Sequence, residues 1–497
     1  MTDVGFTFID LFSGIGGFHR ALSSLGGRCL GFSEINKDAI SYFCVNTNER
    51  PESNYGDITK IKKLPTHDLL TAGVPCQSWS IAGRNLGFED DRGQLWNDTI
   101  YLLNQSRPKA FIFENVKGLV DPRNRNALAY ILERIRGAGY YANYHVINSY
   151  DYGVMQNRVR IYIIGFLAKE YFERFSLPPK EERHMRLGDL LGINITASNA
   201  SICEKNLFGE VVVARKMSLS ASGGMNDYFL YNDIRNGDTT IHTWDLVPTT
   251  QRQKDICLLL LRNRRKKLYG CLDGNPLSIK HLQSLDKTIT YEDISGLVEI
   301  GILAGENYGF RIKKIVADLN KDEREILSYA KGGRIILDEL KAERGLKLKK
   351  IGIKETLEKL VEKGALSCEE TRYDFKNTKI STGLNGVNRV FLPGSSVFPT
   401  LVASDTNDMV ATKDISAPNM KEYRRRFIEE IHAKGNYRKI TKSEACLLQG
   451  FPPDYKLPDS RARWMKLVGN SVSVPVIETL CRAILATGVT GIVAEDL

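Results

Sequence analysis

A cysteine and a glutamate stand at the ends of two apolar runs, where a substrate could reach them. His67-Asp68-Leu69-Leu70-Thr71 reads as a strand, and Ala72-Gly73-Val74-Pro75-Cys76-Gln77-Ser78-Trp79-Ser80 follows it. Pro75 stops the ladder and fixes the turn that carries Cys76 into a polar loop. Lys109-Ala110-Phe111-Ile112-Phe113 reads as a second, buried strand, with Glu114-Asn115 at its end. If the two strands run parallel, their ends share one edge of a sheet and set a thiol and a carboxyl beside one crevice. Those groups suit covalent addition and proton transfer. Any one of the nine cysteines taken singly reads as a small buried hydrophobe, and Cys76 is set apart by its neighbours.

The elements that must position this pair begin at the N-terminus. Thr7-Phe8-Ile9-Asp10-Leu11-Phe12 is strand-like, Ser13-Gly14-Ile15-Gly16-Gly17 breaks it, and Phe18 to Leu25 has helical spacing. Glycines at such a turn let a ligand approach the backbone and the helix N-terminus closely. Cys29 to Ser33 is another strand, closed by Glu34, and a helix runs from about Lys37 to Val45. An acid at the end of the second strand is placed to take the two hydroxyls of a ribose, and Asp57 is a third acid after Gly56. This is the layout of a nucleoside-binding α/β domain. Further on, His145 to Asn148 and Val159 to Phe166 read as strands, and the alternation of Gln156, Arg158 and Arg160 lets both guanidiniums share one face.

A chain of 497 residues is long for one hydrophobic core, so two structural units are expected. No apolar run reaches membrane-spanning length, no basic leader precedes Asp3, and the cysteines form no CxxC pair. These features point to a cytoplasmic protein without a disulfide framework or a metal site. The net charge of +10 favours a polyanionic partner. From about residue 167 charged runs replace the strand-end pattern. Cys257 to Leu261 is an apolar helical core that runs into Arg262-Asn263-Arg264-Arg265-Lys266-Lys267, a good phosphate-contacting element. Leu297-Val298-Glu299-Ile300-Gly301-Ile302-Leu303 is echoed by Leu360-Val361-Glu362-Lys363-Gly364-Ala365-Leu366. Helix, glycine, apolar pair and strand suggest two tandem winged-helix-like units, near 276–316 and 333–378. Lys347, Lys349, Lys350 and Lys354 surround the start of the second recognition helix.

Taken in order, these residues resemble the DNA (cytosine-5)-methyltransferase family of bacterial restriction-modification systems. Asp10-Leu11-Phe12-Ser13-Gly14-Ile15-Gly16-Gly17-Phe18 resembles its first cofactor motif, Pro75-Cys76-Gln77 its nucleophile motif and Glu114-Asn115-Val116 the next catalytic one. Gln156, Arg158 and Arg160 match its Gln-x-Arg-x-Arg motif, while Gln449-Gly450-Phe451-Pro452 and Gly469-Asn470-Ser471 match its last two. Phe398-Pro399-Thr400-Leu401-Val402-Ala403-Ser404 looks like the Thr-Leu segment near the end of its recognition region. The resemblance implies a Rossmann-like α/β domain built from 1–166 and 440–497, with 167–439 inserted as a long target-recognition domain.

It also implies S-adenosyl-L-methionine as cofactor, with S-adenosyl-L-homocysteine as product, held by Phe12, Gly14, Gly16, Glu34, Asp57, Pro75, Asn470 and Ser471, and no metal. Cys76 would attack C6 of cytosine and Glu114 would protonate N3. Arg158 and Arg160 would hold the O2 side of the ring, with Gln156 positioning its neighbours. A base inside a duplex hides C5 and C6, so the cytosine is expected to flip out, with Gln77 to Trp96 closing over it. Double-stranded DNA would be held by Arg262, Arg264, Arg265, Lys266, Lys267, Lys347, Lys349, Lys350, Thr400 and Leu401. The implied enzyme acts as a monomer on DNA, beside a cognate restriction endonuclease. Cytosine-5 methylation of tRNA and a catalytically silent DNA-binding relative stay open as alternatives. A nicotinamide dehydrogenase shares the glycine turn and the ribose acid, but gives no reason for the thiol and the carboxyl.

Overall fold

The strands and helices of the first 166 residues decide where the thiol-bearing loop and the carboxyl emerge. The computed structural model describes residues 5–75, 91–181, 186–195, 203–205, 211–213, 228–233, 239–270, 274–314, 316–343, 345–346, 348, 350–376, 388–417 and 419–491. Cys76, Lys347 and Lys349 lie outside the described residues, as does the side chain of Lys350. The chain folds into two compact units, one of Met1–Tyr228 with Arg389–Leu497 and one of Phe229–Thr382.

In the first unit, strands β1 (Phe6–Leu11), β2 (Gly27–Ser33), β3 (Leu69–Gly73), β4 (Ala110–Val116), β5 (Tyr141–Asn148) and β7 (Val159–Phe166) form one sheet in the order β2-β1-β3-β4-β7-β5. The short β6 (Gln156–Asn157) lies outside that sheet and pairs with Phe398–Pro399. Helices α1 (Gly17–Ser24), α2 (Lys37–Thr47), α3 (Asp91–Ser106) and α4 (Arg125–Gly137) connect the strands. The β2-β1-β3-β4 run is parallel, and β7 is antiparallel to both β4 and β5. From β1 the chain crosses to β2 on one side and then returns to β3 on the other. That reversal opens a crevice at the carboxyl ends of β1 and β3, the usual ligand position in such a sheet.

Phe8, Ile9, Leu11, Leu70, Ala72, Phe111 and Phe113 are buried in these central strands, which is why they read as continuous apolar runs. Strand β5 begins four residues before the expected His145, because it is the sheet edge and its Tyr141, Tyr144 and Val146 are exposed. The C-terminal segment completes this unit: helix Val474–Leu485 packs on α1, and Tyr455 Oη donates to Ile15 O in the glycine turn (2.5 Å). The apolar stretch Arg461–Leu485 is two mostly buried helices, Arg461–Asn470 and Val474–Leu485.

The second unit starts at Phe229 rather than at 167, and residues 389–439 belong with the first. Its core is a duplication. Helix Gln251–Asn263, strand Leu277–Ser278, helices Ile279–Leu285 and Tyr291–Glu299, and strand Leu303–Ile312 recur as Lys321–Ser328, Arg334–Ile336, Leu337–Ala342, Lys350–Glu362 and Leu366–Phe375. The copies follow one another in the chain, as the sequence suggested, and they share one sheet. The long strands pair antiparallel with each other, Leu303 opposite Phe375 and Ile312 opposite Leu366. Each short strand then lies on the other copy's long strand: Leu277 faces Tyr373, and Ile335 faces Phe310. The pairings are related by a quasi-twofold axis through the sheet. Phe375 accordingly enters the core of the first copy, while Tyr308 and Phe310 enter that of the second. Neither copy can close its core alone.

Candidate active site

Strand register brings the catalytic candidates together. Gly73 at the end of β3 pairs with Glu114 in β4, and Asn115 Nδ2 donates to Val74 O (3.1 Å). The strand end that leads through Pro75 to Cys76 is thereby tied to the residue beside Glu114. Strand β7 runs antiparallel to β4 with Val116 opposite Arg160, and Arg160 Nε lies 3.1 Å from Glu114 Oε1. Both side chains are largely buried. Burial pushes the Glu114 carboxyl above its ordinary value, and the neighbouring Arg160 and Arg158 charges oppose the shift without cancelling it. A carboxyl held in this way keeps its proton to higher pH than an ordinary glutamate, which suits a proton donor.

The two arginines, expected to share a face, part company. Arg158 N donates to Gln156 O in a tight turn between β6 and β7, so the strand alternation is broken at Arg158. The guanidinium turns inward and donates to Leu401 O (3.0 Å), Gly469 O (3.1 Å) and Ser471 O (2.6 Å), with the residue only 2% exposed. Arg158 is therefore committed to bracing three backbone carbonyls. Gln156 is also buried, donating to Leu448 O (2.7 Å) and Gln449 Oε1 (3.0 Å).

Around the crevice between β1 and β3, Phe12 adopts a left-handed φ of 54°, rare for a non-glycine residue, and Gly14 follows at 56°. Among the described residues, a Cβ built on Gly14 would meet nothing within 4 Å, and Ser13 Oγ is buried without a partner. Glu34 accepts from Gly14 N (3.0 Å), Ile35 N (2.8 Å) and Asn36 N (2.8 Å), which fixes its carboxylate at the rim. Asp57 accepts from Thr59 N (3.1 Å) and Thr59 Oγ1 (2.9 Å), and these bonds hold its carboxyl below the ordinary range. At the other wall, a Cβ on Gly17 would lie 2.6 Å from Val472 Cγ2 and 3.0 Å from Ser471 Oγ, so only glycine admits the 471–472 segment against the turn. Asn470 is exposed at the end of its helix. Open space, an orphaned hydroxyl, fixed carboxylates and apolar Phe12 fit a nucleoside with a charged tail.

The C-5 cytosine-specific DNA methylase family model matches residues 6–486. The chain belongs to that family. Its activity is methyl transfer to C5 of cytosine in DNA. Type II methyltransferase M.HgiBI of Herpetosiphon aurantiacus is 40% identical over 484 residues, covering 96% of each chain. M.HgiEI of the same organism is 40% identical over 481 residues, covering 96% of this chain and 95% of its own. M.NlaIV of Neisseria lactamica is 29% identical over 504 residues, 97% and 99% of the two chains.

For a cytosine methylase several expected DNA contacts need correction. Arg264, 2% exposed, closes a bidentate pair on Asp374 and is not available to a phosphate. Arg262, Arg265, Lys266 and Lys267 do stand on the surface. Leu401 is buried, and Thr400 Oγ1 donates to Asn157 O, so the Thr-Leu segment is fastened to the catalytic unit rather than offered to DNA. The described end of the Gln77 to Trp96 stretch is helical from Asp91, and Trp96 is buried, so any closing loop must end before α3. Sequence reasoning passed over Ile35, 72% exposed beside Glu34; its only signal was an apolar residue just before the helix cap Asn36.

Proposed function

We propose that this enzyme methylates one cytosine within a specific duplex DNA sequence, with S-adenosyl-L-methionine as cofactor, in a restriction-modification system that contains a cognate endonuclease. The observation that carries the reading is the buried Glu114 beside Arg160, in register with the strand end that leads to Cys76. When bound, S-adenosyl-L-methionine supplies an electrophilic methyl group. Phe12 and the exposed Ile35 would pack on the adenine, Glu34 would take the ribose hydroxyls, Asp57 the adenine amine, and Gly14 and Ser471 would line the tail.

C5 of cytosine is a poor nucleophile on its own. Addition of the Cys76 thiolate to C6 makes C5 enamine-like, and the proton from Glu114 to N3 removes the negative charge that addition would build up. Arg160, rather than Arg158, is then the guanidinium that can both orient Glu114 and meet the O2 side of the ring. Loss of H5 and β-elimination of Cys76 restore the aromatic ring. Flipping the base out costs a few kcal/mol, which phosphate contacts must offset.

Sequence reading is assigned to the duplicated unit. Replacing 229–382 by the corresponding unit of a family member with a different target should move methylation to that target and leave the cytosine chemistry intact. The sites protected in host DNA report the outcome, and specificity that stayed with the parent's catalytic unit would overturn the assignment. Within this unit the buried Arg264 and the exposed Lys266 and Lys267 should behave oppositely. Arg264→Ala strands Asp374 without its partner and should cost about 3 kcal/mol of stability, read by urea unfolding. Neutralising the exposed Lys266 and Lys267 should leave stability nearly unchanged and flatten the slope of log K for DNA against log salt by about 0.9 for each phosphate that the variant no longer neutralises. An unchanged slope would put the cluster off the DNA.

A further inference from the structure

The backbone carbonyls that hold Arg158 belong to a larger buried network that the reaction itself does not use. Strand β6 lies beside Phe398–Pro399, with Phe398 opposite Gln156 and Pro399 opposite Asn157. Immediately beyond, Leu401 is gripped at both its peptide groups: its N–H donates to Gln156 Oε1 (3.1 Å) and its carbonyl accepts from Arg158 Nη1 (3.0 Å). Thr400 Oγ1 adds a bond to Asn157 O. Behind Gln156 sits Gln449, with no exposed surface, which accepts from Gln156 Nε2 (3.0 Å) and donates to Val468 O (3.0 Å) and Ser471 O (3.1 Å). Ser473 Oγ reaches Gln449 Oε1 (3.4 Å) and pairs with Ser149 Oγ (2.7 Å), and Ser149 Oγ donates back to Arg158 O (3.2 Å).

The network joins three stretches far apart in sequence: the turn that leads into Arg160, the chain that has just returned from the duplicated unit, and the C-terminal helices. Gly469 confirms how close they come, since a Cβ there would lie 2.5 Å from the Val402 carbonyl carbon. A buried polar network of this kind is costly when partly broken and specifies one arrangement when complete.

We infer that Gln449 is a positioning residue for methyl transfer: acting through Gln156, it fixes the Thr400–Leu401 backbone against the strand that presents Arg160 to Glu114. The hydrogen-bond geometry supports this coupling of the returning chain to the catalytic pair. The inference rests on the methyl-transfer reading above.

Gln449→Met keeps the side-chain length and removes every polar contact. It should lower kcat at saturating cognate DNA and cofactor about tenfold, the scale expected when a catalytic group is displaced by a fraction of an ångström, while KM for DNA stays at the parent value. Because Gln449 acts through Gln156, the Gln156→Met, Gln449→Met double variant should be no slower than the worse single variant. Thr400→Val, which removes one half-buried hydroxyl and spares the core, should lower kcat in the same sense and serves if Gln449→Met does not fold. An active parent with kcat unchanged in Thr400→Val and in any folded Gln449→Met would overturn the inference alone. Additive losses in the double variant, or a KM for DNA that rises in step with the loss of kcat, would also overturn it. A parent that transfers no methyl group to DNA would instead overturn the reading beneath it.

Discussion

Cys76→Ala should abolish methyl transfer while DNA and cofactor binding persist. The thiolate is needed only to add to C6, and without that addition C5 has no enamine character with which to take the methyl group. Removing it also leaves the scaffold in place. The Gly73–Glu114 register and the Asn115–Val74 bond hold the end of β3 through backbone atoms and the Asn115 side chain, and neither involves residue 76. Single-turnover transfer to duplex DNA, with binding measured on the same preparation, separates the two effects. Turnover near the parent rate would remove Cys76 from the mechanism.

Glu114→Gln has the second-largest expected effect. Glutamine keeps the shape and the neighbour Arg160 but carries no transferable proton, and loss of a general acid is worth a factor of about 100 or more. The pH dependence makes the test specific. Burial raises the Glu114 carboxyl, so its active, protonated form persists to higher pH than for an ordinary glutamate. The parent rate should then fall as pH rises through that raised value, as the proton needed at N3 is lost. In Glu114→Gln this alkaline limb should vanish from a much lower rate. A variant with the parent's rate and the same limb would show that the proton comes from elsewhere.

What could be read from the sequence was what is local. Strands β1, β3 and β4 are central and parallel, so they appear as unbroken apolar runs, and the residues that end them stand at the crevice by topology alone. The start of helix Lys442–Gln449 is local in the same way: the Thr441 backbone N–H donates to Glu444 (2.8 Å) three residues on, and Gly450 ends the helix with φ 83°. The fate of the two arginines was not visible. Alternation places 158 and 160 on one face only if the strand is continuous, and a turn hydrogen bond at Arg158 interrupts it. Arg264 read as surface charge because its partner Asp374 is 110 residues away. The repeat 63 residues apart was legible, but the exchange of short strands between the copies depends on which long strand each one meets, and nothing local encodes that choice.

Bisulfite sequencing of host DNA, after expression in a strain that lacks cytosine methylation, tests the central claim most directly. Protection of one cytosine in one recurring sequence context is the expected result, lost when Cys76→Ala is expressed instead. Uniform conversion of every cytosine in cells that contain the folded parent enzyme would contradict it.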